Sequence, residues 1–169
     1  FKYVHKVLFQ DVYDYAGLFR TTDITIPEDI LNGESVCYGN FENLAASLEY
    51  DILLERKKDY SKMSIVEVIN SLARFTSHIW QVYPFKNGNT RTVALFMIKY
   101  LTFLGFNIDM RIFNDNSLYF REALVRGNYF NNELNIKQNN EYLICFYENL
   151  LLGKNNNLLE EELILHDLF

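Results

Sequence analysis

The 169-residue sequence contains only two prolines, seven glycines and two cysteines. With Pro27 and Pro84 as the sole prolines, most of the chain is free of the residue that breaks helices most strongly. Cys37 and Cys145 are far apart, with no CxxC spacing and no neighbouring histidine pair, so a zinc site is not expected and a reducing cytoplasmic setting is the default. Positive charge is also in deficit, with 16 Lys and Arg against 22 Asp and Glu and a net charge of −6. A nucleic-acid binder normally carries a basic face, so that class is disfavoured. No apolar run reaches bilayer length, which excludes a helical membrane span. No signal peptide is visible, and Phe1 opens directly on a helical pattern, as expected of a chain that has lost some preceding residues. The length and the 49% hydrophobic and 22% charged content fit one globular domain with a workable core. Aromatics are plentiful at 16%, with 14 Phe and 12 Tyr, and most are read as core.

Helical spacing dominates the chain. Val4, Leu8, Val12 and Tyr15 predict a first helix over Phe1 to Ala16, closed by Gly17. Thr22-Asp23-Ile24-Thr25-Ile26 alternates like a half-buried strand, and Val36-Cys37-Tyr38 is its possible return, so one small hairpin is expected. Asn40 is placed to cap a helix carrying Leu44, Ala45, Leu48 and Ile52. Ser64-Ile65-Val66-Glu67 matches a capping box and opens a helix that must stop near Val82, because Pro84 disfavours helical geometry at Tyr83. Thr90 to Leu104 is apolar on nearly every side and is expected at the centre of its domain. Helices over Leu118 to Tyr129 and Glu141 to Leu152 follow. The fold class is thus mainly α, with residues 1–153 as one domain and 154–169 as an acidic tail or last helix.

The stretch Tyr83-Pro84-Phe85-Lys86-Asn87-Gly88-Asn89-Thr90-Arg91 carries the most chemistry. Gly88 permits a tight or left-handed turn, and Asn87 and Asn89 tolerate the same geometry. The turn leads straight into a helix, whose unpaired N–H groups and positive dipole end form an anion site. Arg91 adds a permanent cation with a bidentate fork. The bland alternative is an ordinary turn between helices.

This order of residues resembles the Fic family signature, His-x-Phe-x-(Asp/Glu/Asn)-Gly-Asn-x-Arg, of enzymes that move AMP from ATP onto a protein hydroxyl. The resemblance extends to the opening helix with His5, to the Thr21–Tyr38 hairpin at the position of the family's flap, to the helix carrying Tyr119, Arg121 and Asn128, and to Tyr142–Gly153. It implies a Fic-type helical bundle and a bacterial source. It implies that Phe85 anchors the loop, that Asn87 contacts Mg²⁺, and that Gly88, Asn89 and Thr90 form the phosphate nest. Arg91 then clamps a phosphate, while Tyr119 and Asn128 belong to the wall of the nucleotide pocket. A protein substrate would dock on the flap hairpin, and an inhibitory partner is a further expectation.

Two departures from the family pattern matter. The family's general base is histidine, and Tyr83 stands in its place. Tyrosine's ordinary pKa is near 10, about three units too high for a base at neutral pH. Arg91 and Mg²⁺ are the groups expected to lower it. A second family arginine, three residues after Arg91, is Ala94 here. His5, His78 and His166 are read as packed or surface residues rather than as substitutes for the base. Glu148-Asn149 matches the end of the family's inhibitory-helix pattern, but Ile144 and Ala94 break it, and Glu148 is read as a surface residue. The reading is a Fic-like adenylyltransferase that is weak or inactive. The alternative is a catalytically dead nucleotide-binding module that regulates or binds a partner. Altered transfer, such as phosphorylation, has nothing in the sequence to favour it.

Overall fold

A computed structural model describes residues 1–165. It contains seven α-helices: α1 (Lys2–Phe9), α2 (Leu44–Arg56), α3 (Ile65–Val82), α4 (Asn89–Phe103), α5 (Arg111–Asp115), α6 (Ser117–Asn128) and α7 (Glu141–Leu152). His166 lies outside the described residues. None of the described helices is long and apolar enough to cross a membrane.

The central helix is α3, not α4. Ser64 and Glu67 form the reciprocal capping box that starts it. Val68, Ile69, Leu72, Ala73, Phe75, Ile79 and Trp80 are buried, and α3 packs against α2, α4, α6 and α7. Thr76 and Tyr147 satisfy each other inside this core: the two hydroxyls lie 2.6 Å apart, and Thr76 Oγ1 donates to the Leu72 carbonyl. The apolar surplus on α4 has another cause. Val93, Met97 and Leu101 face the core, whereas Ala94, Leu95 and Ile98 line a pocket.

The first helix is shorter than its periodicity predicts. It ends at Phe9, and residues 10–16 turn back so that the Gly17 N–H reaches Nδ1 of His5 at 2.8 Å. Gly17 is required by this close return, since a Cβ there would sit 3.0 Å from Lys6 Cβ with φ at +81°.

The expected hairpin at Thr21–Tyr38 is not a pair of strands. Its middle is a single 3₁₀ turn, Asp29–Leu31, closed by the Glu28 N–H donating to the Glu34 carbonyl at 2.9 Å. Ile30, Leu31 and Val36 are buried and hold the turn through side chains rather than a ladder. The polar–apolar alternation at 22–26 therefore reflects half-burial of Ile24 and Ile26 along an irregular, extended loop. After Gly153, the chain packs back onto the domain. Leu163 is fully buried, Arg126 Nη1 donates to its carbonyl at 2.8 Å, and the Leu165 N–H donates to the Ile30 carbonyl at 2.9 Å.

Candidate functional site

The loop from Tyr83 to Arg91 joins α3 to α4. Tyr83 ends α3 in the left-handed region (φ 46°), an uncommon geometry for a bulky residue, and Pro84 bars it from continuing the right-handed helix. Phe85 is fully buried, with its ring stacked on His5 at 3.8 Å between centroids. Asn89, also buried, brackets the Phe85 peptide: Oδ1 accepts the Phe85 N–H at 2.9 Å and Nδ2 donates to its carbonyl at 2.7 Å. The Asn89 side chain is thus a fastener of the loop.

The carbonyls of this loop are turned inward and held. Arg20 Nε donates to the Tyr83 carbonyl and the Arg20 N–H to that of Pro84, each at 2.9 Å. His5 takes that of Asn87 at 3.0 Å, and the Thr92 N–H and hydroxyl take that of Gly88. His5 Nδ1 accepts from Gly17, so its Nε2 carries the proton given to Asn87. The opposite face of the same backbone is bare. The N–H groups of Lys86 through Arg91 have no acceptor among the described residues. A run of outward amides at a helix N-terminus is the physical definition of an anion nest. Gly88 makes it possible: φ is +76°, and a Cβ there would lie 2.5 Å from the Phe9 ring.

Arg91 is exposed at this end of α4, with its guanidinium carbon 5.0 Å from the Phe9 ring centre and no carboxylate partner among the described residues. Thr90 accepts the Trp80 indole N–H at 3.0 Å, which pins the helix start to α3. Thr90, Arg91 and Ala94 form one wall of a pocket of about 500 Å³, whose facing wall includes Ser117, Leu118 and Arg121 on α6. A groove of about 620 Å³ between α2 and α3 is larger. Its charged lining is mostly acidic, however, with Asp51, Glu55 and Glu67 against Arg74 and a Lys58 that is paired with Glu55 at 2.7 Å.

Tyr119 and Asn128 are not brought to the pocket. Both are buried: the Tyr119 hydroxyl donates to the Tyr142 carbonyl at 3.2 Å, and Asn128 Nδ2 donates to the Leu124 carbonyl at 2.8 Å and that of Ser77 at 3.2 Å. Glu148 pairs with Lys154 at 2.8 Å and accepts from Asn156 at the end of α7. His78 is exposed on the outer side of α3.

Tyr83 is half-buried beneath Tyr38, with ring centres 4.6 Å apart. Its hydroxyl pKa is raised above the ordinary value, burial being the main cause and nearby Glu28 adding to it, against the opposing pull of Arg121 and Asn89. The expected lowering by Arg91 is absent, because the cation beside Tyr83 is Arg121. Asn87 is exposed, and its Nδ2 donates to the Tyr15 hydroxyl at 2.8 Å, which leaves Oδ1 uncommitted. One neutral oxygen between the cations Lys86 and Arg91 does not make a Mg²⁺ site, because this ion needs carboxylate or phosphate oxygens. The residues present do not fit a protein-held Mg²⁺.

Of the residues that fix this geometry, sequence reasoning read His5 only as a packed or surface residue and passed over Arg20 and Glu28. Their partners are distant in sequence: His5 and Asn87 are 82 positions apart, Glu28 and Arg121 93. A charged Arg20 beside a glycine turn and a lone histidine on an apolar face were the only signals available.

Residues 1–101 match the model of the Fic/DOC family. Over 108 residues, 64% of its length, the chain is 29% identical to the protein adenylyltransferase VbhT of Bartonella schoenbuchensis, and it spans only 21% of that protein. The fold is similar to the N-terminal Fic domain of the effector Bep8 from Bartonella sp. 1-1C, with a TM-score of 0.67 and 17% identity over 94% of this chain and 73% of that one. It is also similar to the N-terminal Fic domain of an effector from Bartonella sp. AR 15-3, with a TM-score of 0.63 and 19% identity over 98% and 72% of the two chains. With the family model matched over more than half its length, the chain belongs to the Fic/DOC family.

Proposed function

We propose that this domain binds a nucleoside polyphosphate, ATP foremost, and transfers AMP to a protein hydroxyl weakly or not at all at neutral pH. The carrying observation is the loop from Tyr83 to Arg91, in which the carbonyls of Tyr83, Pro84, Phe85, Asn87 and Gly88 are held and the amides of Lys86 to Arg91 are free beside an unpaired guanidinium. Such a backbone stabilises negative charge with little rearrangement. Thr90 and Arg91 sit at the mouth of a pocket large enough for a nucleoside.

In AMP transfer, the target oxygen attacks the α-phosphorus, the bond to the diphosphate breaks, and the hydroxyl proton must pass to a base. Tyr83 holds the family's base position, and its raised pKa keeps it protonated at neutral pH. That same observation favours the second reading, a nucleotide-binding module without transferase activity. The target would lie along the loop at Asp23, Ile24 and Thr25, whose backbone groups have no hydrogen bonds among the described residues and are open to a foreign strand.

The test is incubation with α-labelled ATP, Mg²⁺ and a lysate, comparing the native chain with Tyr83→His and Arg91→Ala. Label only from Tyr83→His, with ATP binding by the native chain that Arg91→Ala weakens, is the expected result. Label from the native chain would establish an active enzyme. Absence of both label and ATP binding would remove the nucleotide reading.

A further inference from the structure

Two guanidinium-bearing residues line the pocket from opposite walls, Arg91 on α4 and Arg121 on α6. One turn after Arg91, Ala94 leaves the α4 wall without a second cation, and Arg121 provides one from across the pocket. Among the described residues its only hydrogen bond is Nη2 donating to Glu28 Oε2 at 2.7 Å. A guanidinium carries five donors, so most of the fork has no acceptor. Glu28 is only 2% exposed, and its Oε1 accepts the Tyr38 hydroxyl at 3.1 Å. A carboxylate carried in on a strandless loop therefore sits where the pocket presents a cation. Carboxylate and phosphate are alternative partners for the same fork. Tyr38 in turn packs on Tyr83, so this ion pair also ties the loop to the centre of the site.

We propose that Arg121 is the second phosphate-binding arginine of this domain and that Glu28 is its resident counter-ion, so that a nucleoside polyphosphate and the Glu28 carboxylate compete for one guanidinium. The proposal rests on the nucleotide reading above. Ligand entry then takes Arg121 from Glu28 and releases the loop at its charged anchor. Anything that binds the released loop strengthens nucleotide binding by the same factor with which nucleotide strengthens its own.

The test is calorimetric titration with ATP, and separately with adenosine, of the native chain, Glu28→Gln, Arg121→Gln, the Glu28→Gln/Arg121→Gln double variant and Arg91→Ala, each checked for folding by its melting transition. The double variant carries neither charge, so its fold does not depend on the pair. Glu28→Gln is expected to bind ATP several-fold tighter, and Arg121→Gln and the double variant about tenfold weaker, the scale of one charge-assisted hydrogen bond. Adenosine, which lacks phosphates, binds all of them alike. ATP binding that Arg91→Ala weakens, but that is unchanged within about twofold across the Glu28 and Arg121 variants, overturns this proposal and leaves the nucleotide reading intact. ATP binding by neither the native chain nor Glu28→Gln overturns both.

Discussion

The loops 83–91 and 21–38 meet where Tyr83 packs against Tyr38, yet their backbones are fastened to different extents. In the first, the backbone itself is fastened: Arg20, His5, Asn89 and Thr92 each take one or more of its carbonyls, and Phe85 is buried beneath it. In the second, buried Ile30, Leu31 and Val36, the Glu28–Arg121 pair and the backbone bonds of the 3₁₀ turn hold residues 28–36, while the backbone at 23–25 is bare. The difference suits the two tasks of the proposed function. Amides that must meet an anion without rearrangement need a fixed backbone. An edge that is to accept another chain needs an unpaired one.

The comparison is broken most severely at Phe85. Phe85→Ala removes a fully buried ring and is expected to cost about 3–5 kcal/mol in urea denaturation, with ATP binding lost alongside. Thr25→Ala, on the exposed and unbonded stretch, marks the other end of the scale, with a stability change within about 0.5 kcal/mol. A larger effect at Thr25, or a small one at Phe85, would reverse the assignment of which loop is fixed.

Between these extremes lies a pH effect on the fixed loop. Burial lowers the pKa of His5, and its bond to the Asn87 carbonyl only partly offsets this. Neutral imidazole is the form that accepts from Gly17 and donates to Asn87. A base with a depressed folded pKa stabilises the fold fully above its ordinary value of about 6.5, and that contribution is lost as pH falls through the folded value. Denaturation between pH 7 and 5 should therefore show a fall in stability that His5→Gln abolishes. An unchanged slope in that variant would mean that His5 does not couple the loop to protonation.

The fold was legible wherever the deciding signal is local. Ser64 with Glu67, Pro84 after Tyr83 and Gly153 after α7 each act through bonds within a few residues, and the helices end where those residues place them. The turn into α4 at 83–91 was legible for the same reason, because Gly88 and the start of α4 are adjacent. Long-range chemistry was not legible. The shortness of α1 depends on Gly17 reaching His5, and the shape of the 21–38 loop depends on Arg121 and Leu165. The apolar character of α4 misled because lining a pocket and lying at the centre of a core require the same residues. Tyr83 was readable as a departure from the family pattern, but the direction of its pKa depends on burial beneath Tyr38, which no spacing reveals.

The central claim is that free backbone amides, with Arg91 beside them, grip the phosphates. The direct measurement is a titration of the isotope-labelled protein with ATP, following the backbone amide resonances. The largest shifts are expected at Gly88 to Arg91 and should shrink when adenosine replaces ATP. Shifts concentrated in the groove between α2 and α3, or equal responses to ATP and adenosine, would contradict the account.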